Sequence, residues 1–102
     1  GGYGGGNRAV LSGPAGVFTV PAGVEMRVGR DAASCQIVLH EVKVSGVHAS
    51  LKVEGGQLWV RDERSSNGTY VAGAPAAPGA WVPVPAGTTL KVGPVELSVR
   101  ME

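Results

Sequence analysis

The feature that most constrains this chain is a rhythm. From Arg8 onward, short valine-rich runs alternate with turn signals at intervals of about ten residues. Runs of that length, bounded by Gly, Pro, Asn and Ser, suit strands of a β-sandwich or barrel and are too short for packed helices. Candidate strands fall at residues 8–11, 16–20, 25–28, 36–39, 48–53, 57–61, 68–71, 81–84, 89–92 and 95–101. Several alternate cleanly. Ala49, Leu51 and Val53 share one face with Ser50 and Lys52 opposite, and Val95, Leu97 and Val99 face away from Glu96, Ser98 and Arg100. Glu54-Gly55-Gly56-Gln57 reads as a hairpin turn, its glycine pair supplying positive φ. No window longer than ten residues carries helical periodicity with caps. Residues 73–80 (GAPAAPGA) read as a Pro/Gly surface loop with no side chain able to do chemistry.

A chain of 102 residues makes one domain. Residues 1–7, opening GGYGGG, are expected to be a flexible glycine-rich tail or linker, and 8–102 the folded unit. Hydrophobic residues are 43% of the chain but aromatics only 5%, which suits thin aliphatic sheets better than a deep aromatic-lined pocket. The net charge of +1 argues for neither nucleic acid nor an anionic membrane, so any anion site must be local. The single cysteine, Cys35, cannot form an internal disulfide. No apolar run approaches the roughly 20 residues of a membrane span, and no signal-peptide pattern opens the chain. It begins Gly-Gly without Met and reads as an excised piece. Its Ala/Gly/Val-rich, Arg-over-Lys composition fits a GC-rich bacterial source.

One internal echo carries information. Residues 20–29 read VPAGVEMRVG and residues 84–93 read VPAGTTLKVG, six of ten positions being identical. The shared physics is a Pro-Ala-Gly turn, an alternating strand and a terminating glycine. The plainest reading is two hairpins with the same turn chemistry. The copies diverge after the last glycine: the first continues into Arg30-Asp31, the second into Pro94.

Three segments hold nearly all the suggestive polar residues: Gly29-Arg30-Asp31, then Lys43 through His48 (KVSGVH), then Asp62 through Thr69 (DERSSNGT). Each lies between expected strands, where a rigid sandwich presents functional side chains on loops. The ordered set of Gly29-Arg30, Ser45-x-x-His48 and Ser65-Ser66-Asn67-Gly68-Thr69-Tyr70-Val71, with 15 residues from Arg30 to Ser45 and 22 from Ser45 to Asn67, resembles the forkhead-associated (FHA) domain. The resemblance spans nearly the whole chain. It implies an all-β, two-sheet antiparallel sandwich of about eleven short strands with these loops at one end, and binding of phosphothreonine peptides.

The residue chemistry agrees with that implication. A phosphate near pH 7 carries about −1.5 to −2 charge and three acceptor oxygens. Arg30 offers a planar fork of donors that holds two of them. Ser45 supplies a hydroxyl proton and Gly46 a backbone N–H; many family members carry a side-chain donor where this chain has Gly46. Asn67 suits a peptide gripper, its amide donating to one backbone carbonyl and accepting from one N–H. By resemblance, Lys43 contacts the phosphate or the ligand residue three beyond it. Ser66, also by resemblance, sits beside the phosphoresidue's β-carbon, where the extra methyl of threonine is discriminated. Arg64 is a weaker candidate on the third loop. Gly29, His48, Gly68, Asp62, Ser65 and Thr69 are expected to be loop scaffolding, with His48 holding Ser45 in place. After Val71, the family's frequent asparagine is replaced by Ala72, a change expected to affect the turn more than the ligand.

Other classes fit poorly. Ser45, His48 and Asp62 would have to form a triad, yet a serine three residues before a histidine gives no nucleophile elbow. Cys35, His40 and His48 match no zinc spacing, and residues 1–6 lack the lysine of a phosphate-binding loop, so neither metal nor cofactor is expected. The rival is a phospho-independent assembly module on the same fold, which Gly46 keeps open. The expected partner is a Thr-phosphorylated protein or peptide, met in the cytoplasm, with neither nucleic acid nor membrane insertion; the oligomeric state is open, a monomer being favoured.

Overall fold

A computed structural model of the chain describes residues 7–102. The tail expected at 1–7 lies outside them apart from Asn7, whose carbonyl accepts the Ala22 N–H at 2.7 Å. Eleven strands follow: β1 Arg8–Gly13, β2 Gly16–Pro21, β3 Glu25–Gly29, β4 Ile37–Val38, β5 Ala49–Glu54, β6 Gln57–Asp62, β7 Thr69–Val71, β8 Ala74–Pro75, β9 Trp81–Val84, β10 Thr89–Val92 and β11 Val95–Met101. One sheet runs β2-β1-β11-β10-β7-β8 and the other β4-β3-β5-β6-β9. The expected sandwich is therefore present, with β8 as an addition inside the stretch read as loop.

Among the described residues the strands pair antiparallel except β3 and β4, where Val28 meets Ile37 and Gly29 meets Val38 in parallel; a single parallel bridge also joins Ala22 to Val53. Parallel neighbours ordinarily need a long crossover. Here the return takes only residues 30–36, because Asp31 folds the chain back on itself. Its carbonyl accepts the N–H groups of Ser34 and Cys35, its carboxylate accepts Ala33 N–H and Ser34 Oγ, and Gln36 N–H reaches Arg27's carbonyl.

The core is aliphatic. All six leucines (11, 39, 51, 58, 90 and 97) are no more than 1% exposed, packed with Val20, Val28, Val60, Val84 and Val92. Each such side chain is worth roughly 1.5–3 kcal/mol of burial, so these aliphatic layers hold the two sheets together. The face expected to carry Ser50 outward is not simply solvent-exposed. Ser50 is 1% exposed and donates to Glu63, which also accepts from Arg61 Nε at 2.9 Å. Arg61 and Lys52 then stack on Trp81, with 4.6 and 4.4 Å to the ring centroid. Long side chains cover the serine.

The two echoed segments are corners between sheets, not hairpins. The first carries the chain from β2 in one sheet to β3 in the other, and the second from β9 to β10 in the opposite sense. Their turn glycines match in conformation, Gly23 at φ 86° and Gly87 at φ 87°. Glycine at that turn position supplies the left-handed φ that Pro-Ala cannot. The result is a local two-fold likeness: each corner delivers a strand whose last glycine faces the same loop, residues 43–46, from opposite sheets.

Candidate functional site

The segment from Glu41 to Val47 is a loop in which five of the seven carbonyls accept hydrogen bonds. Val44 N–H closes a turn on Glu41's carbonyl at 2.9 Å, and Val44's side chain, 1% exposed, anchors the loop in the core. Arg30 Nη1 donates to Val42's carbonyl at 2.6 Å, and Asn67 Nδ2 donates to Lys43's at 2.9 Å. The Ser45 and Gly46 carbonyls accept the N–H groups of Arg30 and Asp31 at 2.9 and 3.1 Å. Cys35 Sγ adds a second donor to Gly46's carbonyl at 3.2 Å. Burial and the nearby Asp31 carboxylate push the Cys35 thiol above its ordinary value, which keeps its proton in place for that bond.

A trans peptide unit points its N–H opposite to its C=O. With the Ser45 and Gly46 carbonyls turned toward Arg30 and Asp31, the N–H groups of Gly46 and Val47 point away from β3. Neither donates to any group among the described residues. Backbone N–H groups presented in succession form an anion-attracting concavity.

Gly29 permits this approach. A Cβ there would lie 2.2 Å from Gly46's carbonyl oxygen and 2.9 Å from Cys35 Sγ, so no other residue fits without moving the loop. His48 is fully buried and joins two loops. Its Nδ1 accepts the Ser45 N–H at 3.1 Å, so that nitrogen carries no proton, and Nε2 donates to Gly68's carbonyl at 2.7 Å. This single tautomer satisfies both bonds. Ser45 Oγ accepts the Ser66 N–H at 3.1 Å, which leaves its own hydroxyl proton to donate elsewhere.

The third loop hangs on Asp62, 2% exposed. Its carboxylate accepts the Ser65 hydroxyl, the Thr69 hydroxyl at 2.7 Å and the Ser65 N–H at 3.1 Å. Burial alone would raise its pKa, but these bonds together hold it below the ordinary value. Ser65 Oγ in turn accepts the Gly68 N–H at 2.9 Å, and Gly68 takes φ 82°.

Arg30, Val42, Lys43, Val44, Ser45, Ser66 and Asn67 line one shallow groove of about 90 Å³. The structure thus brings five of the sequence-derived binding candidates to a single surface, with Gly46 adjoining through Ser45. Arg64 does not line the groove; it adopts φ 58° and lays its guanidinium along Gly79. Sequence reasoning missed Val42, 77% exposed at the groove, and Cys35 beneath Gly46. No local signal marks either. Asp31 and Ser34 could have been found from their Asp-x-x-Ser spacing, a common side-chain-to-backbone turn pattern.

Solved structures share this fold. The CT664 FHA domain from Chlamydia trachomatis superposes with a TM-score of 0.84 at 22% identity, over 93% of this chain and 98% of that one. An FHA domain from a study of phosphothreonine-dependent FHA interactions gives 0.80 at 26% identity, over 93% and 97%. EmbR of Mycobacterium tuberculosis, solved with a low-affinity phosphopeptide, gives 0.77 at 26% identity; the match covers 93% of this chain but only 24% of EmbR. No curated protein matches the chain by sequence. The family model for the FHA domain matches residues 26–93, two thirds of the chain and all three loops, and the chain therefore belongs to the FHA domain family.

Proposed function

We propose that this domain recognises a partner phosphorylated on threonine, within serine/threonine kinase signalling in the cytoplasm. The phosphorylated segment belongs to another protein or to the parent chain. The observation that carries the reading is the groove of Arg30, Ser45, Ser66 and Asn67, beside a loop whose carbonyls are turned inward. A phosphate set there meets donors from every side. Arg30 has used one of its five N–H groups on Val42 and keeps the rest for a two-point grip. Ser45 gives its hydroxyl proton, and Gly46 its free N–H. Asn67 retains one amide proton and its carbonyl oxygen for the peptide backbone. Lys43, exposed at the rim, adds charge, and Ser66 flanks the phosphoresidue. The domain serves as a recognition module, not as an enzyme. No helix among the described residues is long and apolar enough to cross a membrane.

The test is a titration with a phosphothreonine peptide, its phosphoserine counterpart and its unphosphorylated twin. Binding confined to the phosphorylated forms, strongest for threonine, is expected. Arg30→Ala and Ser45→Ala should each weaken it, Arg30→Ala by roughly ten- to a hundredfold, the worth of a charge-assisted hydrogen bond. Both residues sit outside the core, so melting should shift little. Equal affinity for the unphosphorylated twin would mean a phospho-independent assembly module instead.

A further inference from the structure

Gly93 lies outside the three binding loops, in the turn between β10 and β11. Its Cα nevertheless faces the 43–46 loop from the sheet opposite to Gly29. A Cβ at position 93 would stand 2.9 Å from Lys43's carbonyl oxygen and 3.4 Å from His48 Cε1. That same oxygen is the acceptor for Asn67 Nδ2. Gly93's own N–H donates at 2.9 Å to Gly68's carbonyl, which also accepts from His48 Nε2. One residue from the far sheet therefore touches both loops that Asn67 bridges.

We infer that Gly93 is a positioning residue for the peptide-gripping amide of Asn67, acting through the Lys43 carbonyl. This rests on the groove being the phosphopeptide site. The reasoning is steric and local. Ordinary contact begins at 3.4 Å, so the Lys43 oxygen must retreat by about 0.5 Å from its 2.9 Å approach to admit a side chain at 93. Asn67's amide is seated on that oxygen, with one N–H committed to it and the other groups free. Moving the seat turns the whole amide plane and with it the groups offered to a peptide backbone. Gly29 does the matching service on the other side of the loop, through Gly46. The two echoed corners thus supply one bare Cα each to the two ends of the same four-residue loop.

Glycine at 93 answers two demands, and they separate experimentally. Its φ of 54° is one; its contact with Lys43 is the other. Gly87 has φ 87° and nothing within 4 Å of a Cβ, so it carries the first demand alone. Gly87→Ala is therefore the matched control for backbone strain. Gly93→Asn is a second variant, because asparagine tolerates left-handed φ while still placing a Cβ against Lys43.

The experiment compares Gly93→Ala, Gly93→Asn and Gly87→Ala in two ways. In the ligand-free protein, NMR follows exchange of the Asn67 side-chain amide protons. In titrations, the probe is the phosphothreonine peptide that binds the wild type. Both position-93 variants are expected to lose protection at the Asn67 amide and to bind about two- to tenfold more weakly, the worth of one hydrogen bond. Gly87→Ala should lose thermal stability while keeping wild-type protection and affinity. The double variant Gly93→Ala/Asn67→Ala should bind no more weakly than Asn67→Ala alone. Position-93 variants that behave like Gly87→Ala, or losses that multiply in the double variant, would overturn the inference. A wild type indifferent to phosphorylation would sink the functional reading, and the ligand-free exchange comparison would still decide the role of Gly93.

Discussion

Asp62 carries a carboxylate that is almost withdrawn from water and yet stays ionised more readily than usual, because three donors from Ser65 and Thr69 converge on it. A folded-state pKa below the unfolded one stabilises the native protein above the unfolded value, and that contribution disappears as pH falls through the folded value. Asp62's share should therefore be constant from pH 7 down to about pH 4 and decline below it. Asp31, Glu63 and Glu102 are lowered too, so wild-type melting alone would mix four groups. Asp62→Asn isolates one. Its amide would face the Ser65 N–H donor to donor, costing about 1–3 kcal/mol at pH 7. The gap in melting temperature between wild type and Asp62→Asn should narrow as pH drops from 4 to 3. A gap that is constant across that range would show that the carboxylate's charge is not what the loop depends on. At this scale the sequence was legible where a residue's chemistry is its own: Arg30, Ser45 and Asn67 stand out by type and spacing. Cys35 and Gly93 were not, since each matters only for a carbonyl brought to it by distant chain.

Between strands, the same division holds. The Gly55-Gly56 hairpin was readable because both residues that need positive φ are glycines, at 63° and 73°. The hairpin from β7 to β8 was not. Val71 pairs with Ala74 around Ala72 and Gly73, at φ 50° and 84°, a two-residue turn with both central residues left-handed. Alanine is a poor occupant of the first position, so the turn signal is muted and a two-residue exposed strand after it looks like loop. β4 was placed in sequence, but its parallel partner could not be, because a two-residue strand holds no record of direction. The misfit at Ala72 is correctable. Ala72→Asn restores an Asn-Gly pair and should stabilise the domain by about 0.5–1 kcal/mol, raising its melting point by about 2–8 °C. Thermal denaturation of the two proteins reads this directly, and an unchanged or lower midpoint would mean that the turn is not strained by alanine.

At the scale of the whole molecule, the ends of the described chain, at Arg8 and Glu102, and the groove occupy opposite poles. β1 begins beside the end of β11, where Arg8 and Glu102 exchange backbone hydrogen bonds at 3.3 and 2.9 Å. β1 then runs to the turn at Pro14-Ala15, which adjoins Pro94 and the segment leading into the 41–47 loop. β5 runs back from His48 at the groove to the Gly55-Gly56 turn at the terminal pole. First and last strands are thus neighbours, paired from Ala9–Met101 to Ser12–Ser98, and nothing in the groove depends on the chain being open between them. Joining Glu102 to Arg8 through a short glycine linker and opening the chain between Gly55 and Gly56 should give a circular permutant that keeps the sandwich. Exposed turns far from a site tolerate such cuts. Phosphothreonine-peptide affinity should stay within about twofold, as expected for perturbations well separated from the groove. Opening the chain instead between Lys43 and Val44 should leave much of the sheet pairing intact yet abolish binding, because the carbonyls that seat Arg30 and Asn67 would lose their fixed backbone. Titration and thermal melting of both permutants test the separation. Loss of affinity in the permutant opened at Gly55-Gly56, with its fold retained, would show that the two poles are coupled through the strands between them.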